Sequence, residues 1–88
     1  MISRDSTKSE NALADLRKSG TVDLIHCDLA SLSEVARAAE KLQEDHPETQ
    51  VVICNAGVMS KRRKESRDGL ELSFAVNHLA HFLLVTRI

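Results

Sequence analysis

Tryptophan and tyrosine are absent from this 88-residue sequence, and phenylalanine occurs only twice. Any core must therefore be assembled from Val, Leu, Ile and Ala, and no tyrosine can act as a general acid. Long apolar runs are missing too. None approaches the roughly 20 residues that span a bilayer, and Met1-Ile2-Ser3-Arg4-Asp5 turns polar too soon for a signal peptide. A cytoplasmic location is the resulting expectation. Neither sign of charge dominates: 12 basic and 13 acidic residues leave a net charge of −1. Such a balance gives no field to draw the chain onto nucleic acid or anionic lipid. The two cysteines, Cys27 and Cys54, form no CxxC and stand in apolar runs, as buried free thiols of a reducing compartment do. His78 and His81 share a helical face but lack a third ligand, so no metal site is expected.

What is present is a 42% hydrophobic, 28% charged chain of single-domain size, globular by composition. Apolar positions Ala12, Leu13 and Leu16 share one face of a helix running from Asp5 or Ser6 to Lys18, with Gly20 as the expected C-cap. Val22 to Cys27 reads as a strand. Ser31-Leu32-Ser33-Glu34 has the form of a capping box, with the Ser31 hydroxyl on the Glu34 amide and the Glu34 carboxylate on the Ser31 amide. The helix that follows buries Leu32, Val35, Ala36, Ala39 and Leu42 and stops before Pro47. Gln50 to Cys54 holds the unbroken run Val51-Val52-Ile53-Cys54 expected of a parallel strand covered on both faces. Asp68-Gly69 marks a turn, and Leu70 to Ile88 reads as a long buried helix. With a strand stub at Met1–Ser3, the alternation predicts an α/β, doubly wound parallel sheet of Rossmann type.

Ligands of open α/β sheets sit at the carboxyl ends of the strands. The candidate positions are therefore Ser3-Arg4, Asp28-Leu29 and Asn55-Ala56-Gly57, together with Asn77 in the last helix. Read singly, each also has a structural explanation: Asp28 as a turn residue, Asn77 as a satisfied structural amide, Arg4 as an exposed terminal cation.

Taken together, three phrases resemble the short-chain dehydrogenase/reductase family. They are His26-Cys27-Asp28-Leu29-Ala30-Ser31-Leu32, Asn55-Ala56-Gly57-Val58-Met59 and Val76-Asn77-His78-Leu79-Ala80-His81-Phe82-Leu83-Leu84, and they look like its retinol-dehydrogenase and WW-domain-oxidoreductase branch. The resemblance implies that residues 1–88 are a partial NAD(P)-binding Rossmann domain, from the end of the family's second strand to the helix before its fifth. Ser3 stands at the position where an acidic side chain would select NAD, and Arg4 follows it, with Lys8 one turn on. Guanidinium geometry suits a phosphate, so NADP is expected rather than NAD. Asp28 and Leu29 match the residues that hold the adenine. Asn55, Ala56 and Gly57 match the family's Asn-Asn-Ala-Gly beside the cofactor ribose, with Cys54 in place of the first asparagine. Asn77 matches the helix asparagine that distorts its helix and holds a water of the catalytic proton relay.

The same resemblance places a glycine-rich turn before these residues and a Tyr-x-x-x-Lys after them; neither is in the sequence. The sheet order 3-2-1-4 then lacks its first strand, between Met1–Ser3 and Val51–Cys54. Cys27 and Cys54 would end strands about 14 Å apart, too far for a disulfide. The implied function is a fragment of an NADP-dependent oxidoreductase acting on a small-molecule carbonyl or alcohol, with no turnover by these residues alone. The alternative is a non-catalytic truncated module that pairs with a full-length subunit through residues 70–88, the face on which a homo-oligomer is also expected. The basic run Lys61-Arg62-Arg63-Lys64, with Arg67, reads as a solvated loop near the substrate entrance rather than a nucleic-acid patch, since no aromatic accompanies it.

Overall fold

A computed structural model describes all residues, 1–88. Strand β1 (Ile2–Ser3) leads into helix α1 (Thr7–Arg17), strand β2 (Ile25–His26) and helix α2 (Leu32–Asp45). A last continuous helix comprises α3 (Leu72–Phe74), a π-helical segment at Ala75–Leu79 and α4 (Ala80–Arg87). β1 and β2 pair in parallel with Ile2 opposite Ile25, and the Ile25 and Cys27 amides donate to Met1 O and Ser3 O at 2.9 Å each. Parallel pairing through an intervening helix is the βαβ unit that the alternation predicts.

α1 starts where Ser6 stands as N-cap, its hydroxyl accepting from the Ser9 amide at 3.2 Å. Its end departs from the sequence expectation. Lys18 closes the helix in right-handed backbone, and Gly69 is the only residue with positive φ, at 74°, so Gly20 adopts no left-handed C-cap. Gly69 instead closes the turn in which its amide donates to Ser66 O at 3.1 Å. A side chain at that φ is strained, which is why the Asp-Gly pair works there.

α2 begins and ends as expected, but its N-terminus is not a capping box. Ser31 makes no side-chain cap, its hydroxyl lying 3.1 Å from that of Ser33. The Glu34 carboxylate reaches past Ser31 to accept from the Asp28 amide at 2.8 Å. The Leu32 amide finds its acceptor in Asp68 Oδ2, at 2.9 Å, from a segment 36 residues away. The box failed because a tertiary acceptor was available for the orphan donors of the first turn.

The core lies between α2, α4 and β2: Ile25, Cys27, Val35, Ala38, Ala39, Ala80 and Leu84, with Ile2, Leu29, Leu42 and Leu83 packed against it. Ala39 and Ala80, both fully buried, let the two helices approach closely around Val35. Two expectations about burial change. The strand expected over Val22 to Cys27 pairs only at Ile25–His26, because its partner β1 is two residues long. Gln50 to Cys54 forms no strand at all, and Val51 and Ile53 are 75% and 83% exposed. A strand is held by cross-strand hydrogen bonds, and here a groove of about 800 Å³ separates Met1–Ser3 from Val51–Ala56. That groove stands where the doubly wound order has its first strand. The last helix is likewise less buried than expected, with Phe74, Phe82 and Val85 about half exposed. It begins at Leu72, where Glu71 accepts from the Ser73 and Phe74 amides at 3.1 and 2.7 Å; these two bonds hold the Glu71 carboxyl below its ordinary range.

Candidate cofactor-binding site

The turn after β1 is built on three serines. Ser9, buried on α1, receives the Ser3 and Ser6 hydroxyls at 2.7 and 3.0 Å, and its own hydroxyl donates to Arg4 O. This network fixes the backbone at Ser3-Arg4 while leaving the Arg4 side chain exposed. Arg4 and Lys8 take part in none of the ion pairs of the molecule.

The turn after β2 is shaped by Asp28, whose Oδ1 accepts from the Ala30 amide at 2.9 Å in an Asx turn. Oδ2 lies 3.5 Å from the Arg67 guanidinium. The structural reading of Asp28 as a turn residue is therefore correct as far as it goes. Yet Asp28 and Arg4 also line one cleft of about 300 Å³, together with Asp5, His26, Cys27, Glu34 and Arg67. That volume is at the small end of ligand sites, about 300–1,000 Å³.

Asn55-Ala56-Gly57 is held from the last helix. Asn77 Oδ1 accepts from the Val58 amide and Asn77 Nδ2 donates to Val58 O, both at 2.8 Å. One helical turn on, His81 Nε2 lies 2.8 Å from Ala56 O. A carbonyl only accepts, so this nitrogen carries the proton. Asn77 itself is exposed and satisfies its amide on the Val58 backbone rather than within the core. It sits in the π-helical segment, so the helix is distorted at the expected place. Gly57 abuts Asn77: a Cβ there would lie 3.4 Å from Asn77 Oδ1, an ordinary contact, and its φ is not positive. Nothing in the backbone demands glycine at 57.

The candidate residues thus fall into two groups. Arg4 and Asp28 share the small cleft, whereas Ser3, Leu29, Asn55 and Ala56 line the larger groove with His81. Lys8 lines neither. Three contributors escaped sequence reading: Ser9, His81 and Arg67. Ser9 is an ordinary polar residue of an amphipathic helix, His81 reads only as half of a histidine pair without a third metal ligand, and Arg67 stands in a basic run that reads as solvated.

Cys27 borders the cleft but is no nucleophile. Burial first, then the Glu34 and Asp28 carboxylates, push its thiol from 9.0 up to about 11. Cys54 is exposed and free. A disulfide-exchange reagent at pH 8 is expected to modify one thiol of the native chain rapidly, Cys54, and the second only on unfolding. Because the folded Cys27 keeps its proton longer than the unfolded one, stability is full below pH 9 and falls as pH rises toward about 11. Thermal melts of Cys27→Ala should lose that alkaline decline.

The β1–β2 pairing, the flanking helices and the turns gathered at the strand ends define an α/β chain of partial Rossmann type. All residues 1–88 match the family model of the short chain dehydrogenases. The chain is 42% identical to human retinol dehydrogenase 13 over 84 residues, covering 92% of this chain and 25% of that protein. It is 38% identical over 93 residues to chloroplastic protochlorophyllide reductase B of Hordeum vulgare, covering 100% and 23%. A crystal structure of an uncharacterized Mycobacterium paratuberculosis protein superposes with a TM-score of 0.85 at 34% identity, over 100% of this chain and 31% of that one. The chain belongs to the short-chain dehydrogenase/reductase family of oxidoreductases, with retinol dehydrogenases among its relatives. It spans about a quarter of the length of the curated relatives it matches. No helix is long and apolar enough to cross a membrane.

Proposed function

We propose that residues 1–88 form one partial nucleotide-binding unit supplying the adenosine-phosphate end of an NADP site, in an oxidoreductase that acts on a small-molecule carbonyl or alcohol. The observation that carries this reading is the cleft shared by Arg4 and Asp28, in which Arg4 has no carboxylate partner. A guanidinium free of ion pairs beside a carboxylate that accepts hydrogen bonds matches a ligand with a phosphate at one end and an amino group at the other. Ser3, the last residue of β1, brings no negative charge to oppose that phosphate, and Lys8, the second residue of α1, adds a second positive charge. Leu29 supplies apolar contact for the adenine, and Asn55, Ala56 and Gly57 the backbone facing the ribose.

When bound, the nicotinamide cofactor supplies hydride exchange with the substrate carbon. The residues of this chain bind and orient it. Asn77 holds the segment after Gly57 against the π-helical turn, and each of its amide atoms keeps one further hydrogen-bonding position. That position is what a water feeding a proton relay requires. The general acid is not among these residues, since they include no tyrosine. Accordingly, the 88-residue chain is expected to bind NADPH at least about tenfold more tightly than NADH, and to oxidise neither against carbonyl substrates. Titration of each dinucleotide by calorimetry or by its own fluorescence measures the ratio. Equal affinities, or steady NADPH oxidation by the chain alone, would sink the proposal.

A second reading, an interaction module that pairs through the last helix, is favoured by one observation. Phe74, Phe82 and Val85 remain about half exposed along it, with His78 stacked between the two phenyl rings at 5.4 and 6.2 Å. Sedimentation of the chain with and without a full-length relative distinguishes the readings; a monomer that ignores the relative excludes the module.

A further inference from the structure

The segment expected as a solvated loop is pinned at three points to the turn after β2 and the first turn of α2, which border the candidate cleft. The Arg67 amide donates to Ala30 O at 3.1 Å, Arg67 Nη1 to Glu34 Oε1 at 2.7 Å, and Asp68 Oδ2 accepts from the Leu32 amide at 2.9 Å. The antiparallel bridge Glu65–Glu71 and the Gly69 turn hold the segment in that position, with the Ser66 hydroxyl, largely buried, accepting from the Asp68 and Leu70 amides.

The contacts form a closed ring. Glu34 Oε2 accepts from the Asp28 amide at 2.8 Å, its Oε1 accepts from Arg67 Nη1, and Arg67 Nη2 stands 3.5 Å from Asp28 Oδ2. Both carboxylates are about three-quarters buried on the side-chain level, at 27% and 23% exposure, whereas Arg67 is 64% exposed. Asp28 therefore has one oxygen set by the Ala30 amide and the other set by a guanidinium that Glu34 in turn orients. We infer that Arg67 is a positioning residue of the cofactor site, holding the Asp28 carboxylate in one rotamer so that it receives the exocyclic amine of an adenine nucleotide. This role rests on the proposed NADP reading. A second function of the pair is electrostatic: Arg67 offsets the Glu34 and Asp28 charges in a cleft that must also admit a phosphate beside Arg4.

The test uses the 88-residue chain and two probes, adenosine 2′,5′-bisphosphate and its inosine counterpart, which has a carbonyl in place of the amine. Arg67→Gln is expected to weaken the adenosine compound about tenfold, the scale of one charge-assisted hydrogen bond, and the inosine compound less than about twofold. Arg67→Lys is expected to recover part of the loss, because charge remains while the fork that spans two carboxylates is gone. Against an Asp28→Asn background, Arg67→Gln is expected to add little, since it acts through Asp28. Equal losses on both probes, or full additivity with Asp28→Asn, would reduce Arg67 to a general structural contact and overturn the inference. An unchanged affinity would do the same. If the unaltered chain binds neither probe, it is the NADP reading that fails, and this role falls with it.

Discussion

On the proposed NADP reading, reversing the charge at Arg4 is expected to abolish any preference of this chain for NADPH over NADH. In Arg4→Glu the loss of a charge-assisted contact to the 2′-phosphate, about 1.5–3 kcal/mol, corresponds to a fall of roughly ten- to 150-fold in NADPH affinity. NADH has no phosphate there, so its affinity changes little or improves, because a carboxylate can accept from the free ribose hydroxyls. The variant should fold normally: Arg4 is exposed, makes no ion pair, and contributes to the serine network only through its backbone carbonyl. The salt dependence of NADPH binding should also flatten in the variant, since an exposed guanidinium–phosphate pair is screened by added salt. Retained NADPH preference in a folded Arg4→Glu would place the phosphate elsewhere.

Removing the Asn77 side chain frees the segment after Gly57. Asn77→Ala abolishes both bonds to Val58, a cost of roughly 1–3 kcal/mol at about 0.5–1.5 kcal/mol per bond. For a chain with 13 buried residues that loss is a substantial part of what holds the fold. Amide exchange at Val58 reads the effect locally and should accelerate, while amides of the α2–α4 core follow only the global change. Asn77→Asp sharpens the test. It keeps the acceptor for the Val58 amide but replaces the donor to Val58 O by a second acceptor, so it should restore protection at Val58 without restoring full stability. If Val58 exchange were unchanged in Asn77→Ala, the amide clamp would have no part in ordering this segment.

Legibility along the chain followed how local each determinant is. α1 and α2 were readable to within a residue or two because amphipathic spacing, Ser6 and Pro47 act over one or two turns. The distortion at Asn77 was readable only through family resemblance, since nothing in Val76-Asn77-His78 by itself predicts a π-helical turn. Val51-Val52-Ile53-Cys54 shows the opposite limit: its composition is that of a buried strand, and its exposure follows from the neighbour it faces across a groove. The capping box failed for a related reason. Ser31 and Glu34 have the right spacing, but Asp28, Arg67 and Asp68 offered stronger partners from outside the helix.

The sequence alone determined the fold class and the residues at the strand ends, because strand and helix periodicity and turn chemistry are short-range properties of the backbone, and it carried the family through the resemblance of the phrases 26–32, 55–59 and 76–84. It also shows that residues 1–88 include no tyrosine. Tertiary structure alone decided which of those strand-end residues share a cleft, that Asn77 and His81 spend their side chains on the segment after Cys54, and that Arg67 belongs to the cleft at all. Those pairings join residues separated by 19 to 33 positions. Charge and hydrogen-bonding capacity are written at each position, but which donor meets which acceptor is settled only when α2, α4 and the loops are packed around Val35.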